Sequence, residues 1–324
     1  MNTPTHQASI QEEGSAGGLQ PSRVKEPRCI RNGQSTPQRN TTAKRSVSTA
    51  ASLFSPKSVK PTRIATWNVR TLFKPGCLAQ VIREMRNYKL SLLGVSEMRW
   101  TGQGKFTSEG MTVYYSGSAD KHERGVGFIL NSYSARSVLS WEPVDENIVT
   151  MRVQLTHTKA TIIQVYAPTN VASDDDKDDF YNKLQTVVDN VPSHDLKIIM
   201  GDFNAQIGSE NIGWEAVIGR NATGTKTDNG MRLMNFCSGN ELKIGGSMFQ
   251  HKTIHQKTWT SPDGLTANQI DHICISRRWA TALQDVRVYR GADVGSDHEL
   301  LVAQVKLKLK KLKKCTTKPK IDVD

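Results

Sequence analysis

The stretch KIIMGDFNAQIG, Lys197 to Gly208, sets a short buried strand against two polar side chains. Lys197-Ile-Ile-Met is apolar and β-branched, closes on Gly201, and delivers Asp202 and Asn204 at the mouth of a sheet. A loop needs only some polar residue there. A carboxylate and a carboxamide two positions apart fall on the same side of an extended backbone and can act together.

The pattern recurs along the chain. ATWNV ends a strand with Asn68, LLGVSE ends another with Glu97, and IIQVYAP ends with Tyr166. QIDHI contains Asp271, and VGSDHELL places Asp297 and His298 where the last strand begins. Singly, each is also a good turn or rim residue. Together, Glu97, Asp202, Asp271 and Asp297 at one sheet edge would repel, each pair ~4 Å apart by about 4 kcal/mol at an effective dielectric near 20. Such a cluster persists around a divalent cation or an imidazolium. An all-oxygen donor set with no cysteine partner selects Mg²⁺, or Mn²⁺, leaving an open face for a phosphate oxygen. An Asp–His pair nearby would fix the imidazole tautomer and raise its basicity.

At 324 residues the chain can build one large α/β domain. Its net charge of +12 belongs to the ends. Residues 1–60 hold nine Lys or Arg against three Asp or Glu, residues 306–324 hold eight against two, and the region between is balanced. Flexible basic arms suit contact with a polyanion, or are merely solvated. The five cysteines are scattered and never spaced C-x-x-C. That argues against a disulfide framework or zinc site and for a reducing compartment. No apolar leader or membrane-length run is visible, so a soluble intracellular chain, nuclear or cytoplasmic, is expected.

Residues 1–60 are rich in Ser, Thr, Gln, Pro, Gly and Arg and are expected to be a disordered basic segment. A folded domain is predicted over 61–306, with a Lys-rich tail over 307–324. Strands are predicted near 61–67, 91–95, 111–116, 125–130, 147–156, 159–167, 197–200, 270–275, 285–289 and 298–309. Helices are predicted at 77–88, 174–191 and 228–238. In DDDKDD, Asp174–Asp179, acidic residues at a helix start complement the dipole better than they announce a metal site. The order of elements favours two packed sheets flanked by helices.

In order and spacing, TWNVR, GVSEMRW, QVYAPT, GDFNA, QIDHI and GSDHELL resemble the endonuclease/exonuclease/phosphatase superfamily over residues 61–306. Within it the chain is most similar to the apurinic/apyrimidinic-type endonuclease domain of RTE (BovB) non-LTR retrotransposons, also carried by craniofacial development protein 2-like host proteins. The resemblance implies a four-layer α/β sandwich, two packed mixed β-sheets flanked by helices. It implies Glu97, Asn68 and Asp297 as metal ligands and Asp202 as the residue that orients or deprotonates the attacking water. Asn204 would place the phosphate, His298 oriented by Asp271 would contact it or move a proton, and Tyr166 would donate to it.

The implied activity is Mg²⁺-dependent endonucleolytic hydrolysis of DNA by a monomer, at abasic or retrotransposon target sites. The alternatives are a catalytically inactive DNA- or protein-binding module, or a phosphatase or phosphodiesterase of the same superfamily. One departure is Ser96, where the family commonly has Gln before the motif glutamate; another is that a reverse-transcriptase domain is not expected to follow. Arg99-Trp100 and Arg277-Arg278-Trp279 pair cations with an aromatic in loops expected beside the site, suited to DNA backbone and a displaced base or to covering a helix end. Lys306–Lys314 suits nuclear localisation or DNA holding, or is a solvated strand edge.

Overall fold

The computed structural model describes residues 52–53 and 61–307. The rest of the basic N-terminal segment and the lysines beyond Leu307 lie outside the described residues. The chain opens with β1 (Thr62–Asn68), α1 (Cys77–Asn87) and β2 (Leu92–Ser96), then β3 (Gln103–Ser108), β4 (Met111–Ser116) and β5 (Val126–Asn131). A short α2 (Ser132–Ala135) leads to β6 (Val138–Pro143), β7 (Ile148–Gln154), β8 (Lys159–Tyr166), α3 (Asp174–Asp189) and β9 (Leu196–Asp202). The last part holds α4 (Asp228–Gly239), β10 (Leu242–Ile244), β11 (Trp259–Thr260), β12 (Ala267–Asn268), β13 (Asp271–Ser276), β14 (Leu283–Tyr289) and β15 (Leu300–Val305).

Thirteen of these strands form a seven-stranded sheet in the order β14-β15-β1-β2-β5-β4-β3 and a six-stranded sheet in the order β10-β13-β9-β8-β7-β6, while β11 and β12 pair as a separate two-stranded ribbon. Each of the two large sheets is mixed. The β1–β2 pair is parallel and is joined through α1, the β8–β9 pair is parallel and is joined through α3, and the neighbours are antiparallel. A parallel pair needs a crossover long enough to hold a helix, which is what each α segment provides.

Alternation along each strand sorts side chains between two environments. Ile64, Leu92, Phe128 and Leu301 meet Ile162, Ile198, Met200 and Ile273 in the core between the sheets. On the outer face of the seven-stranded sheet, Val81, Ile82 and Met85 of α1 cover Ala65, Leu93 and Val95. On the other outer face, Phe180 and Leu184 of α3 and Leu233 and Met234 of α4 cover Ile163, Val165 and Ile199. Fully burying one such side chain is worth about 1.5–3 kcal/mol, so the layering follows from the two apolar faces of every central strand. The result is the four-layer α/β sandwich. Leu53, within the segment expected to stand outside the domain, is 3% exposed in the inter-sheet core and donates its backbone N–H to Gln154.

Helix α3 begins as its acidic run predicts. Ser173 caps it by accepting from Asp176 N at 3.2 Å, and Asp174 and Asp178 pair with Arg232 of α4. Lys177 reaches Asp228 at 3.2 Å, so DDDKDD binds one helix to the next. Strands β3 and β6 were not expected. Each is the outermost strand of its sheet. An edge strand with polar, exposed faces, such as QGKFTS, carries little apolar alternation. The strand at Lys197 runs on through Gly201 to Asp202, and the last strand stops at Val305.

A polar bridge crosses the inter-sheet core just below the strand ends. Gln164 of β8 donates to Ser96 Oγ of β2 at 2.9 Å and to Thr66 Oγ1 of β1 at 3.1 Å. Ser96 Oγ in turn donates to the Val165 carbonyl at 3.1 Å. All three side chains are 0% exposed. Gly94 makes room for this bridge: a Cβ there would lie 1.9 Å from Gln164 Oε1 and 2.9 Å from Met200 Cε. The Gln164 amide cannot yield without giving up buried hydrogen bonds. Gly94→Ala should therefore lower unfolding stability by about 1–3 kcal/mol in a denaturant titration; an unchanged midpoint would mean that the bridge is not held tightly.

Candidate active site where the two sheets meet

Five polar residues at strand ends share the inward-facing parity of the core residues before them. Asn68 follows Ile64 and Thr66 in β1, Ser96 follows Leu92 and Gly94 in β2, and Tyr166 follows Ile162 and Gln164 in β8. Asp202 follows Ile198 and Met200 in β9, and Asp271 precedes Ile273 and Ile275 in β13. Strand register then sets them side by side: Asn68 opposite Ser96 in one sheet, Tyr166 opposite Asp202 and Asp202 opposite Asp271 in the other. Two rows of polar side chains thus face each other across the rim of an apolar core.

Asn68 sits between two acids. Its single Nδ2 donates to Glu97 Oε1 at 2.9 Å and to Asp202 Oδ2 at 3.0 Å, while its Oδ1 accepts from Arg70 N at 3.0 Å. His298 Nδ1 is 2.9 Å from Asp271 Oδ2, and its Nε2 is 3.8 Å from Asp202 Oδ2. The histidine is fixed from behind. Its backbone carbonyl accepts from Trp67 Nε1 at 2.8 Å, and its N–H donates to Ser296 Oγ, which itself donates to the Asn68 carbonyl at 2.7 Å. Asp202 and Asp271 are each 1% exposed.

Glu97 lies one residue past β2, at φ 54°. In an extended continuation it would turn away from the inner face. The left-handed backbone swings it back over Asn68, at roughly 1–2 kcal/mol for a non-glycine residue. Arg70 (φ 57°), Arg99 (φ 57°) and Asn204 (φ 48°) take the same conformation beside the other strand ends. Gly201, at φ 149°, precedes Asp202 because a Cβ would lie 2.0 Å from the Val165 carbonyl.

Several residues sit differently from expectation. Asn204 does not share an extended face with Asp202, because the strand ends between them. Its side-chain amide donates to the Ala167 carbonyl at 2.9 Å and its backbone N–H donates to Asp202 Oδ1 at 2.9 Å, so it braces the aspartate. Asp297 receives Trp259 Nε1 at 3.1 Å and lies 3.6 Å from Arg70 Nε, apart from the buried cluster. Arg277-Arg278-Trp279 is not beside the site. It follows the far end of β13, five residues or about 17 Å of strand from Asp271. There Arg277 pairs with Glu241 at 2.6 Å. Arg99 does belong to the site, with Nη2 on Glu97 Oε2 at 2.9 Å.

Sequence reasoning missed Gln164 and Trp259. The first had a signal, a lone amide within the apolar run TIIQVY at an inward position; the second had none.

Burial raises the Asp202 carboxyl, Asp271 raises it further, and His298, Asn68 and Asn204 pull it back, leaving it at about 7. Burial lowers the His298 imidazole, but Asp271 and Asp202 outweigh it and hold it up at about 9. Burial, then the charges of Glu97 and Asp202, drive the Tyr166 phenol far above its ordinary range, so it remains a hydrogen-bond donor. One atom each of Asp202, Asp271 and His298 lie within 4.8 Å of one another, a set able to hold a metal ion. Asp271 Oδ1 is buried without a hydrogen bond among the described residues, while Asp297 Oδ1 has only the 3.6 Å ion pair with Arg70. An unmatched carboxylate oxygen at a rim already rich in acids fits an oxygen-preferring cation.

A family model described as the Endonuclease/Exonuclease/phosphatase family matches residues 65–298. The chain is 38% identical over 256 residues to craniofacial development protein 2 of Bos taurus, an alignment covering 79% of this chain and 43% of that protein. It therefore spans less than half the length of that curated relative. Its fold is similar to that of a 3′-5′ exonuclease, NExo, from Neisseria meningitidis (TM-score 0.59, 22% identity, 76% of this chain and 100% of that one). It is also similar to the endonuclease domain of TRAS1, a telomere-specific non-LTR retrotransposon (TM-score 0.55, 15% identity, 77% and 100%). Among the described residues no helix is long and apolar enough to cross a membrane.

The buried acid–imidazole cluster has a pH signature. A raised His298 adds stability that is full below pH 6.5 and lost as pH climbs through about 9. A raised Asp202 acts in the same direction, since the folded state keeps its proton between 3.8 and about 7 while the unfolded chain has released it. In EDTA the melting temperature should fall between pH 6.5 and 9 more steeply for the wild type than for Asp202→Asn, which removes one of the two carboxylates holding the imidazolium. Parallel melting profiles would show that no such imidazolium is held.

Proposed function

The chain belongs to the endonuclease/exonuclease/phosphatase family, and we propose that within it the protein is a divalent-metal-dependent DNA endonuclease. One observation carries this reading: Asp202 Oδ2 is held between Asn68 Nδ2 at 3.0 Å and His298 Nε2 at 3.8 Å, with Glu97 on the same Asn68 amide. A base, an acid and a cation-binding carboxylate are thus gathered at one rim. The fold likeness to a retrotransposon endonuclease domain and to a Neisseria 3′ phosphatase bound to a product DNA hairpin supports DNA as the substrate.

Glu97, assisted by Asn68 at 2.9 Å and by Asp297, would hold the Mg²⁺ or Mn²⁺ ion. This placement is preferred to the Asp202–Asp271–His298 set because imidazole is a poor donor to a hard ion and Nδ1 is already committed to Asp271. When bound, the ion would supply fixed positive charge for the phosphate oxygens.

Asp202 receives the proton of the attacking water, its carboxylate aimed by the Asn68 amide and the Asn204 backbone N–H. His298 is held as an imidazolium by Asp271 and donates from Nε2 toward the phosphate. Tyr166 remains protonated and hydrogen-bonded to Glu97, and its O–H would turn from that carboxylate to give the phosphate a second hydrogen bond. Asn204 serves through Asp202, since its own amide is spent on Ala167.

The test is cleavage of supercoiled plasmid and of an abasic-site duplex, in Mg²⁺ or EDTA. Wild type should cut only with the metal, and Glu97→Ala should fall to background while melting as wild type does; metal-independent cutting, or full activity in Glu97→Ala, would sink the assignment. Asp271→Asn should bind the same DNA and lose about 10²–10⁴-fold in turnover. Equal loss of binding and turnover would instead mark Asp271 as a purely structural residue.

A further inference from the structure

A second concavity opens at the same end of the seven-stranded sheet, on the loops that leave β1, β2 and β4. Phe73 comes from the first loop, Trp100 and Thr101 from the second and His122 from the third, while Phe106 and Tyr115 complete the wall from β3 and β4. It is an open concavity of about 420 Å³, within the size range of pockets that take a small molecule. Rings dominate the lining. Phe73 and His122 have centroids 4.5 Å apart, and Trp100 lies 5.7 Å from Phe106 and 5.4 Å from Tyr115. Phe73 is 61% exposed and Phe106 37%, a local concentration of uncovered aromatic surface.

This wall is continuous with the active site. Arg99 places its guanidinium on Glu97 at 2.9 Å, while its backbone carbonyl accepts from His122 Nδ1 at 2.8 Å. Trp100 donates its indole N–H to the Leu72 carbonyl at 3.0 Å, beside Phe73 and within five residues of Asn68. Lys74, Lys121 and Arg124 are exposed on the same loops, Arg124 within 3.7 Å of Glu146, while Lys105 lies on the other face of β3, over Tyr114. An aromatic concavity with Lys74 and Lys121 beside it, adjoining the candidate metal and phosphate site, matches the chemistry of an unstacked base whose backbone runs along the rim. An apolar peptide side chain would fill the rings but offer nothing to Lys74 and Lys121.

We propose that this pocket receives one unstacked nucleobase of the substrate strand, next to the phosphate that is cleaved. The assignment rests on the DNA endonuclease reading. Stacking is indifferent to base identity, so the pocket would set which backbone position is cut, and would favour DNA that is single-stranded, mismatched or easily unpaired.

The experiment uses the full chain and oligonucleotides in which one nucleotide at a time is replaced by a base-less tetrahydrofuran unit. Binding is followed by fluorescence anisotropy in Ca²⁺ and cutting in Mg²⁺. At one position, loss of the base should weaken wild-type binding about tenfold. The same loss should weaken Phe73→Ala by less than about twofold, because the stacking partner is already gone. Phe73 is exposed, so Phe73→Ala should melt as wild type does; Phe106→Ala provides a second, independent probe from β3. If wild type binds and cuts DNA but neither variant is coupled to a missing base at any position, the base pocket is wrong and the nuclease reading stands. If wild type neither binds nor cuts DNA, both fall together.

Discussion

A negative charge buried to 1% exposure beside another carboxylate is the condition around which the rim of this protein is built. Asp202 and Asp271 are paired residues on neighbouring strands of one sheet, and both point into the space between the sheets. Two such acids left alone would be forced toward protonation. The fold answers with the Asn68 amide on one side of Asp202 and the His298 imidazole on the other, both delivered by the opposite sheet. The site therefore exists only when the sandwich is closed. That dependence links the stability of the inter-sheet core to the geometry of the candidate chemistry.

The Gln164 bridge carries the same link one layer deeper. It ties β8 to β1 and β2 at positions immediately before Tyr166, Asn68 and Glu97. Ser96, where a longer amide is common in the resembled family, accepts the arm of Gln164 from the other sheet and passes a hydrogen bond to Val165. The departure thus has a local explanation: the amide comes from across the sandwich and needs only a small hydroxyl, and a glycine at position 94, to land on. Fully satisfied buried polar groups of this kind fix one register between two otherwise apolar surfaces.

Strain is concentrated where the chain leaves these strands. Arg70, Glu97, Arg99 and Asn204 adopt left-handed backbone that L-residues seldom take. Each turn redirects a side chain or a peptide group that strand alternation would have sent elsewhere. Glu97 returns to the inner face, Asn204 presents its N–H to Asp202, and Arg99 contacts Glu97 with its side chain and His122 with its carbonyl. Rigid strands supply position and the strained turns supply aim, which also places the aromatic loops alongside the carboxylates.

Alternating and continuous apolar runs determined the central strands, the three long helices and their layering, because those signals are local and strong. The polar ends of the same strands marked Asn68, Glu97, Tyr166, Asp202, Asp271 and His298 as candidates; for Asn68, Tyr166, Asp202 and Asp271 the parity with the core residues is already written in the order of residues, whereas Glu97 reaches the inner face only through its left-handed backbone. The outermost strands β3 and β6 escaped because an edge buries little and so imposes little pattern. Asn204 was misdirected because a single left-handed residue overrides strand alternation. Arg277 and its neighbours were placed at the wrong end because sequence proximity to a motif ignores that the strand between them carries the chain to the opposite rim. What only the tertiary structure decided is which atom meets which: Asn68 shared between two acids, His298 between two aspartates, Gln164 across the core. These contacts join residues from 27 to 134 positions apart. Nothing local in the chain encodes their distances, because they are set by how two twisted sheets settle against each other.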